Sequence, residues 1–380
     1  MNPFPIHTGL RRILLPGLLL ALAPDPFLLA AETSALESDL DFLGSGDITL
    51  LQAATGAGLA WGDTFLRAGI NGGWMGFDYR PVDADIFGSP MRVEESRVGA
   101  SLSISRKLGE RWTGLADAGA YDGFNSYRSA WVSTWYRQFF DGLPGLVEPD
   151  PRGLNGSIGL RWEYLPGLGV MQFEAGLASD EIAPGYEEIF DGFGGLLDVA
   201  PLRSRLATQV LRVAFENVLT TRIRSRVSIR MNDQAERRAR WTATAELNAS
   251  LAKTWVLRVD GGYSREQFRE QGQGSFEGHW FGGALEWQMA DSWQLILRGR
   301  HYRDSGEIEN TLSFSTAAPG LEAEELGIGL RWSSGAHTLQ VGAGPYRTRY
   351  EPVTFNTTFF ANLYRDRTFV AAQLSYRWEF

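Results

Sequence analysis

Residues 368–380 read TFVAAQLSYRWEF, and the chain ends on the aromatic side chain of Phe380. Counted back from that residue, every second position is apolar or aromatic, and the positions between them are mostly polar. A period of two places such sets on opposite faces of a β-strand. The sequence therefore predicts a strand with one apolar and one polar face at the end of the chain. The apolar set comprises Trp378, Tyr376, Leu374, Ala372 and Val370.

The same alternation recurs upstream. Residues 240–251 (RWTATAELNASL) separate Trp241 and Leu247 on one face from Glu246 on the other. Fourteen segments of about a dozen residues are predicted as strands on this pattern. They are residues 64–79, 95–106, 111–122, 153–164, 169–179, 204–216, 221–232, 240–251, 254–265, 277–288, 292–303, 325–332, 337–349 and 368–380.

The connections between these segments are alternately short turns and long polar loops. Strands of this length suit a tilted membrane strand, which needs about 9–11 residues, and no apolar run is long enough for a transmembrane helix. Alternating short and long connections are typical of a barrel with periplasmic turns and extracellular loops. An even strand number then places both termini in the periplasm. A competing count of sixteen strands adds residues 48–60 and 127–139.

The tryptophans decide which face of the strands meets lipid. In a soluble barrel the apolar face points inward, whereas in a membrane barrel it points outward. Seven tryptophans stand on the apolar face within a few residues of a short turn or the C-terminus, as in the aromatic belt of a membrane interface. We therefore predict that the charged faces line a lumen. The seven are Trp112, Trp162, Trp255, Trp287, Trp293, Trp332 and Trp378.

The C-terminal stretch resembles the signature of bacterial outer-membrane β-barrel proteins, which ends in Phe with apolar residues at alternate positions upstream. The resemblance implies an all-β, transmembrane, antiparallel up-and-down β-barrel in the outer membrane of a Gram-negative bacterium. It also implies that Phe380, Trp378 and Tyr376 form an assembly signal read by the barrel-assembly machinery, with outer-membrane lipid and lipopolysaccharide as neighbours. The alternative is an edge strand of a soluble sheet.

The N-terminal region predicts export. Arg11 and Arg12 precede an apolar run at 13–23, so residues 1–31 are interpreted as a signal peptide cut after Ala31. Its removal deletes these two arginines and Asp25, which changes the formal charge from -9 to -10. This acidity argues against a nucleic-acid partner, and the absence of cysteine excludes disulfides and thiolate sites.

Residues 32–63 are interpreted as an N-terminal periplasmic arm or plug, followed by a barrel at 64–380. The first part, 32–47, is acidic and lacks a clear period. Residues 48–61 are compatible with a plug that enters the lumen, a short helix or an extra strand. The sequence leaves these three open.

An arginine row on residues 221–232 is the clearest candidate for function. Unpaired arginines in a lumen would favour anions, whereas arginines paired with inward-facing acids would form a structural network that bridges the walls. The lumen candidates are Arg222, Arg224, Arg226, Arg230, Arg258, Arg298, Arg300, Glu174 and Glu246.

The long loops are rich in aromatic residues, and barrels carry recognition in their loops. These loops could pack together as a lid, fold into the lumen as a constriction, capture an apolar or carbohydrate solute, or bind another protein. The binding candidates are Trp131, Trp135, Tyr136, Phe190 and Phe359.

Two histidines near the predicted extracellular rim are candidates for a metal site. A three-residue turn at 289–291 would pair Trp287 with Trp293 and make His279 and His301 cross-strand neighbours on the outer face. Two imidazoles so placed could bind a transition metal, but no third ligand follows at a supporting spacing. No metal site, cofactor or enzymatic activity is predicted.

The predicted function is passive or facilitated passage of a small solute through the barrel. Lumen arginines and aromatic loops would then set the preference for the solute. The alternative is a non-conducting barrel that serves as a scaffold, an adhesin or a partner in an envelope complex.

Overall fold

The computed structural model describes residues 33–44, 48–79, 91–123, 152–234, 238–268, 275–306, 320–351 and 366–379. The predicted signal peptide lies outside these ranges. So do Phe380 and four of the loop candidates, namely Trp131, Trp135, Tyr136 and Phe359.

Within the described ranges the chain forms sixteen strands. They are β1 (Thr33–Gly44), β2 (Ile48–Trp61), β3 (Thr64–Tyr79), β4 (Met91–Lys107), β5 (Trp112–Gly123), β6 (Arg152–Leu165), β7 (Gly169–Phe190), β8 (Leu196–Thr220), β9 (Ile223–Gln234), β10 (Arg238–Ala252), β11 (Trp255–Phe268), β12 (Ser275–Ala290), β13 (Trp293–Asp304), β14 (Leu321–Ser334), β15 (His337–Tyr350) and β16 (Arg367–Glu379). No helix of the described residues is long and apolar enough to span a membrane.

Each strand pairs in antiparallel fashion with the next one along the chain, and β1 pairs with β16. The β1–β16 seam runs from Glu37 opposite Glu379 to Gly44 opposite Ala372. The sheet therefore returns to its first strand as an up-and-down barrel, the architecture predicted from the alternation. Closure leaves no sheet edge exposed.

The strand number differs from the predicted fourteen. The fourteen predicted segments correspond to β3–β16, but residues 33–44 and 48–61 form β1 and β2 where an arm or plug was predicted. The small Gly and Ala residues of β2 give little contrast between faces, which is why its period is hard to recognise. The competing count of sixteen included β2, whereas its other segment, 127–139, lies outside the described residues.

The connection predicted at 180–203 is mostly strand. β7 and β8 continue into a long hairpin that turns at Asp191–Gly195. Asp191 fixes this turn because its carboxylate accepts hydrogen bonds from the N–H groups of Phe193 (2.8 Å) and Gly195 (2.7 Å). Gly194 adopts a φ of 82°, which a residue with a side chain disfavours.

The register of β12 and β13 differs by two residues from the predicted one. Trp287 lies opposite Leu295, and Trp293 lies opposite Ala290. The tight turn holds only two residues, and an irregularity between Gln288 and Ala290 shifts the pairing. The predicted Trp287–Trp293 pair is therefore wrong. Trp287 instead stacks on Trp255 of β11, with ring centroids 5.4 Å apart.

Contacts between strands that are not neighbours identify the inner face. An Arg298 Nη1 atom donates to Gln373 Oε1 at 2.6 Å, from β13 to β16. The hydroxyl of Tyr121 on β5 donates to Asp180 on β7 at 2.7 Å. Side chains of strands that are not neighbours come within hydrogen-bond distance only on the concave side of a barrel. The polar face is therefore internal, as predicted.

The apolar face is then the outer wall. Leu247 and Ile229 are 36% and 51% exposed there. At the short-turn end, Trp112 and Trp162 stack at 5.4 Å, and His337 stacks on Trp378 at 5.9 Å. This arrangement places a belt of rings at one end of an apolar band, which suits contact with lipid.

Candidate functional site in the lumen

The inner face of β3 to β7 carries mainly small side chains, and we call it the small-residue wall. In register terms, Asn71 lies opposite Gly99 and Ser101 lies opposite Gly119. A Cβ at Gly99 would stand 2.6 Å from Asn71 Oδ1, so the Asn71 side chain would have to move to admit a larger residue there. The wall comprises Gly69, Asn71, Gly99, Ser101, Ser103, Gly119, Asn155, Ser157, Gly176 and Ala178.

A cavity of about 360 Å³ lies against this wall inside the barrel. Its lining extends from Asn71 on β3 to Arg230 on β9, so it belongs to the lumen and not to a crevice between two strands. The charged or aromatic members of its lining are Arg97, Asp117, Tyr121, Glu174 and Arg230.

The inner face of β8 to β14 is different, and we call it the charged wall. Long side chains of both signs face each other across neighbouring strands. The wall comprises Arg212, Glu216, Arg226, Arg230, Arg240, Glu246, Arg258, Asp260, Glu266, Glu286, Arg298, Arg300, Glu325 and Arg331.

Two buried carboxylates organise the charged wall. Glu286, which is 4% exposed, pairs with Arg258 at 2.9 Å and lies 3.7 Å from Arg331. Glu266, which is 3% exposed, pairs with Arg240 at 2.6 Å and with Arg238 at 3.2 Å. A carboxylate so far from water is tolerated because it is paired and hydrogen-bonded.

Arg258 and Arg298, two of the predicted lumen candidates, therefore take part in ion pairs. Arg298 lies 2.8 Å from Glu325 on β14, in addition to its bond to Gln373. These contacts favour the network that bridges the walls over an unpaired arginine ladder. Glu174, another candidate, lies 3.8 Å from Arg212.

The predicted arginine row is not continuous. Arg222 lies in the turn before β9, since the strand begins at Ile223. Arg226 lies in register between Glu216 and Glu246, which makes Glu246 a neighbour of this row. Acids on both sides reduce the positive potential that Arg226 can contribute to the lumen.

The other members of the row have different surroundings. Arg224 lies in register between Val218 and Asn248. Arg230 lies opposite Arg212, and its Nε donates to Asn232 at 2.9 Å. No carboxylate of the described residues lies within ion-pair distance of Arg230.

Arg300, on β13, is the remaining lumen arginine among the candidates. It lies in register between Gly282 on β12 and Glu325 on β14. Glu325 is the residue that pairs with Arg298. Glu325 is therefore the ion-pair partner of Arg298 and the register neighbour of Arg300.

Arg97 is a lumen residue that the sequence analysis missed. Its guanidinium lies over the ring of Tyr121, 4.1 Å from the centroid. The Tyr121 ring is held by its bond to Asp180 and passes so close to Gly153 that no Cβ fits there. Buried Arg97 Nε has no hydrogen-bond partner among the described residues. Its place on the polar face of a predicted strand was the only available signal.

Phe190 is the one loop candidate within the described residues. It lies at the end of β7 and is 54% exposed. Phe193 at the turn is fully exposed, and Leu197 on β8 is 57% exposed. We call this group the hairpin tip. It is apolar, as predicted for the loop.

The barrel is similar in fold to known membrane proteins. CdiB from Acinetobacter baumannii gives a TM-score of 0.55 with 11% identity, over 92% of this chain and 60% of CdiB. Taken with the apolar outer wall, this likeness decides the class. The chain has the fold of outer-membrane β-barrel proteins. This fold and the apolar outer wall support the localisation predicted from the sequence, the outer membrane of a Gram-negative bacterium.

Other similar structures give lower scores. A bacterial polysaccharide outer membrane secretin gives a TM-score of 0.48 with 8% identity, over 92% of this outer-membrane barrel and 99% of the secretin. The Pseudomonas putida toluene transporter TodX gives 0.43 with 11% identity, over 95% and 94%. No protein-family model and no curated protein matches the sequence. This barrel spans 60% of the length of CdiB, and the likenesses describe the fold alone.

Proposed function

We propose that this outer-membrane barrel is a channel for small polar solutes, which pass along the small-residue wall. The cavity of about 360 Å³ on that wall carries the proposal, because it is internal and lined by hydroxyl, amide and charged groups. Long side chains fill the opposite side of the lumen, so the free space lies on one side.

Two arginines face this cavity from different directions and give it a preference for anions. Arg97 and Arg230 line it, and neither lies within ion-pair distance of a carboxylate of the described residues. Of the cavity's acids, Glu174 is engaged by Arg212, and Asp117 remains. Guanidinium groups without carboxylate partners can bind the carboxylate or phosphate of a passing solute.

The test is conductance in planar bilayers, with the reversal potential measured across a KCl gradient. We expect stepwise conductance with anion preference, and we expect that preference to fall when Arg97→Ala and Arg230→Ala are combined. Arg265→Ala, on the outer face, is the matched control and should leave the reversal potential unchanged. A sealed barrel would overturn the channel, whereas an unchanged reversal potential in the double variant would overturn only the arginine assignment.

The hairpin tip favours a second function, a binding surface for another envelope component. Three apolar side chains held on a two-stranded hairpin are exposed beyond the barrel wall. Phe190→Ser with Phe193→Ser should leave conductance unchanged and reduce cross-linking to envelope proteins in cells. Solute binding by the aromatic loops also remains a prediction. So do contacts with lipopolysaccharide and with the barrel-assembly machinery.

A further inference from the structure

A cluster of possible metal ligands lies on the outer wall, remote from the lumen. Nitrogen of His301 on β13 and carboxylate oxygens of Glu322 and Glu324 on β14 lie within 4.8 Å of one another. His301 and Glu324 are direct register partners, and Glu322 follows on the same face of β14. Among the described residues this is the only group of its kind.

The structure places His279 and His301 differently from the cross-strand pair predicted from the sequence. His301 lies opposite Phe281, and His279 lies opposite Arg303, so the two imidazoles are diagonal neighbours with ring centroids 6.3 Å apart. The ligands that the sequence appeared to lack come from β14 and not from β12. The predicted segment 325–332 begins after Glu324, whereas β14 begins at Leu321 and brings both glutamates beside His301.

The surroundings hold the imidazole in place. The His301 ring lies 5.2 Å from the Phe281 ring, and the imidazole is half-buried. Arg349 approaches one oxygen of Glu322 at 3.7 Å, a weak and partly exposed contact that leaves the other oxygen available. Arg303 and Arg349 lie opposite Glu322 in register, and Arg347 lies opposite Glu324, so a metal ion competes with these guanidinium groups for the two carboxylates.

We propose that His301, Glu322 and Glu324 bind a divalent transition-metal ion of the Zn²⁺ class. Imidazole suits Zn²⁺, Ni²⁺ and Cu²⁺ better than Mg²⁺ or Ca²⁺, which prefer oxygen ligands. With bonds of about 2.1 Å, tetrahedral donors lie about 3.4 Å apart, so small side-chain rotations complete the site. The open coordination positions face outward.

The position of the site indicates what the metal does. Nearer the short-turn end on the same face lie Leu297, four residues from His301, and Leu326, two residues from Glu324, which are 45% and 64% exposed and belong to the apolar band. The metal would therefore lie just above lipid, where it joins β13 to β14. This inference does not rest on the proposed channel.

The experiment is calorimetric titration of the full chain, purified in detergent without a histidine tag, with Zn²⁺. We expect one site per chain and a loss of affinity of at least about tenfold in His301→Ala. His337→Ala is the matched control, because that imidazole stacks on Trp378 at the opposite end of the barrel and should not affect binding. Unchanged affinity in His301→Ala would overturn the site.

A second measurement detects the site directly in the wild-type chain. Co²⁺ bound to the wild-type chain should give visible absorption bands typical of mixed nitrogen and oxygen ligation, and Glu322→Gln with Glu324→Gln should abolish them. Binding of Mg²⁺ as tight as that of Zn²⁺ would exclude a transition-metal site. Conductance should be the same in His301→Ala and wild type, which separates failure of the site from failure of the channel.

Discussion

The small-residue wall and the charged wall face one lumen, and they differ in what occupies the space in front of them. On β3 to β7 glycine, serine and asparagine reach only a short distance from the backbone. On β8 to β14 arginine and glutamate extend into the barrel and bind one another. The same backbone architecture therefore gives an open side and a filled side.

The difference in side-chain size between the two walls indicates that side-chain volume, more than strand number, determines which part of the lumen is open. Sixteen strands enclose a wide cylinder, and paired arginines and carboxylates occupy part of it. A paired charge is also held in position, so the filled side is expected to be stiff. Three variants can break or sharpen this comparison.

Filling the small-residue wall should have the largest effect. Ser103 faces the cavity, so Ser103→Trp should place an indole in the open half of the lumen. We expect single-channel conductance to fall roughly tenfold. Leu102→Trp, the neighbouring lipid-facing position, is the control and should conduct as the wild type does. Equal conductance in both variants would mean that the solute path lies elsewhere.

Removing a buried acid should weaken the charged wall. Glu286→Ala leaves Arg258 and Arg331 without their shared partner, and we expect the free energy of unfolding to fall by about 3 kcal/mol. Urea unfolding in lipid vesicles measures this change. Glu277→Ala, at an exposed ion pair with Arg265, should change stability by less than about 1 kcal/mol. Similar losses in both would contradict the special role of burial.

The predicted arginine row should have the smallest effect. Because Arg226 lies between Glu216 and Glu246, Arg224→Ala combined with Arg226→Ala should shift anion preference only slightly. The shift in reversal potential should be smaller than that of the Arg97 and Arg230 double variant. A larger shift would return the row to the role first inferred from its sequence.

The strands from β3 onward could be predicted because lipid demands a continuous apolar face on every strand. Residues 64–79 were predicted with the bounds that β3 has. β1 was missed because its acidic residues suggested a solvated arm, although Leu36, Leu40 and Phe42 alternate with Glu37 and Asp39. Pairing with neighbouring strands stabilises a segment as a strand even where its own alternation is too weak to be recognised in the sequence.

The candidate site was less predictable, since it depends on which strands become neighbours. The arginines of residues 221–232 were predicted as a lumen row, but Arg222 lies in the turn before β9, and the register neighbours of the others lie on β8 and β10. Glu322 and Glu324 were missed as neighbours of His301 because the predicted segment 325–332 begins after them, whereas β14 begins at Leu321. Alternation along a strand determines the face of the sheet on which a residue lies. Which charges become its neighbours depends on the register between strands.

The seam between β1 and β16 bears on the order in which the strands pair during folding. Every other strand pairs with its successor in sequence, but this seam joins the two ends of the chain. Closing so long a loop is entropically costly and must come late. Until then both outer strands expose unpaired N–H and C=O groups, which invite wrong partners. The pairing of β1 with β16 is therefore expected to be the last step of barrel formation.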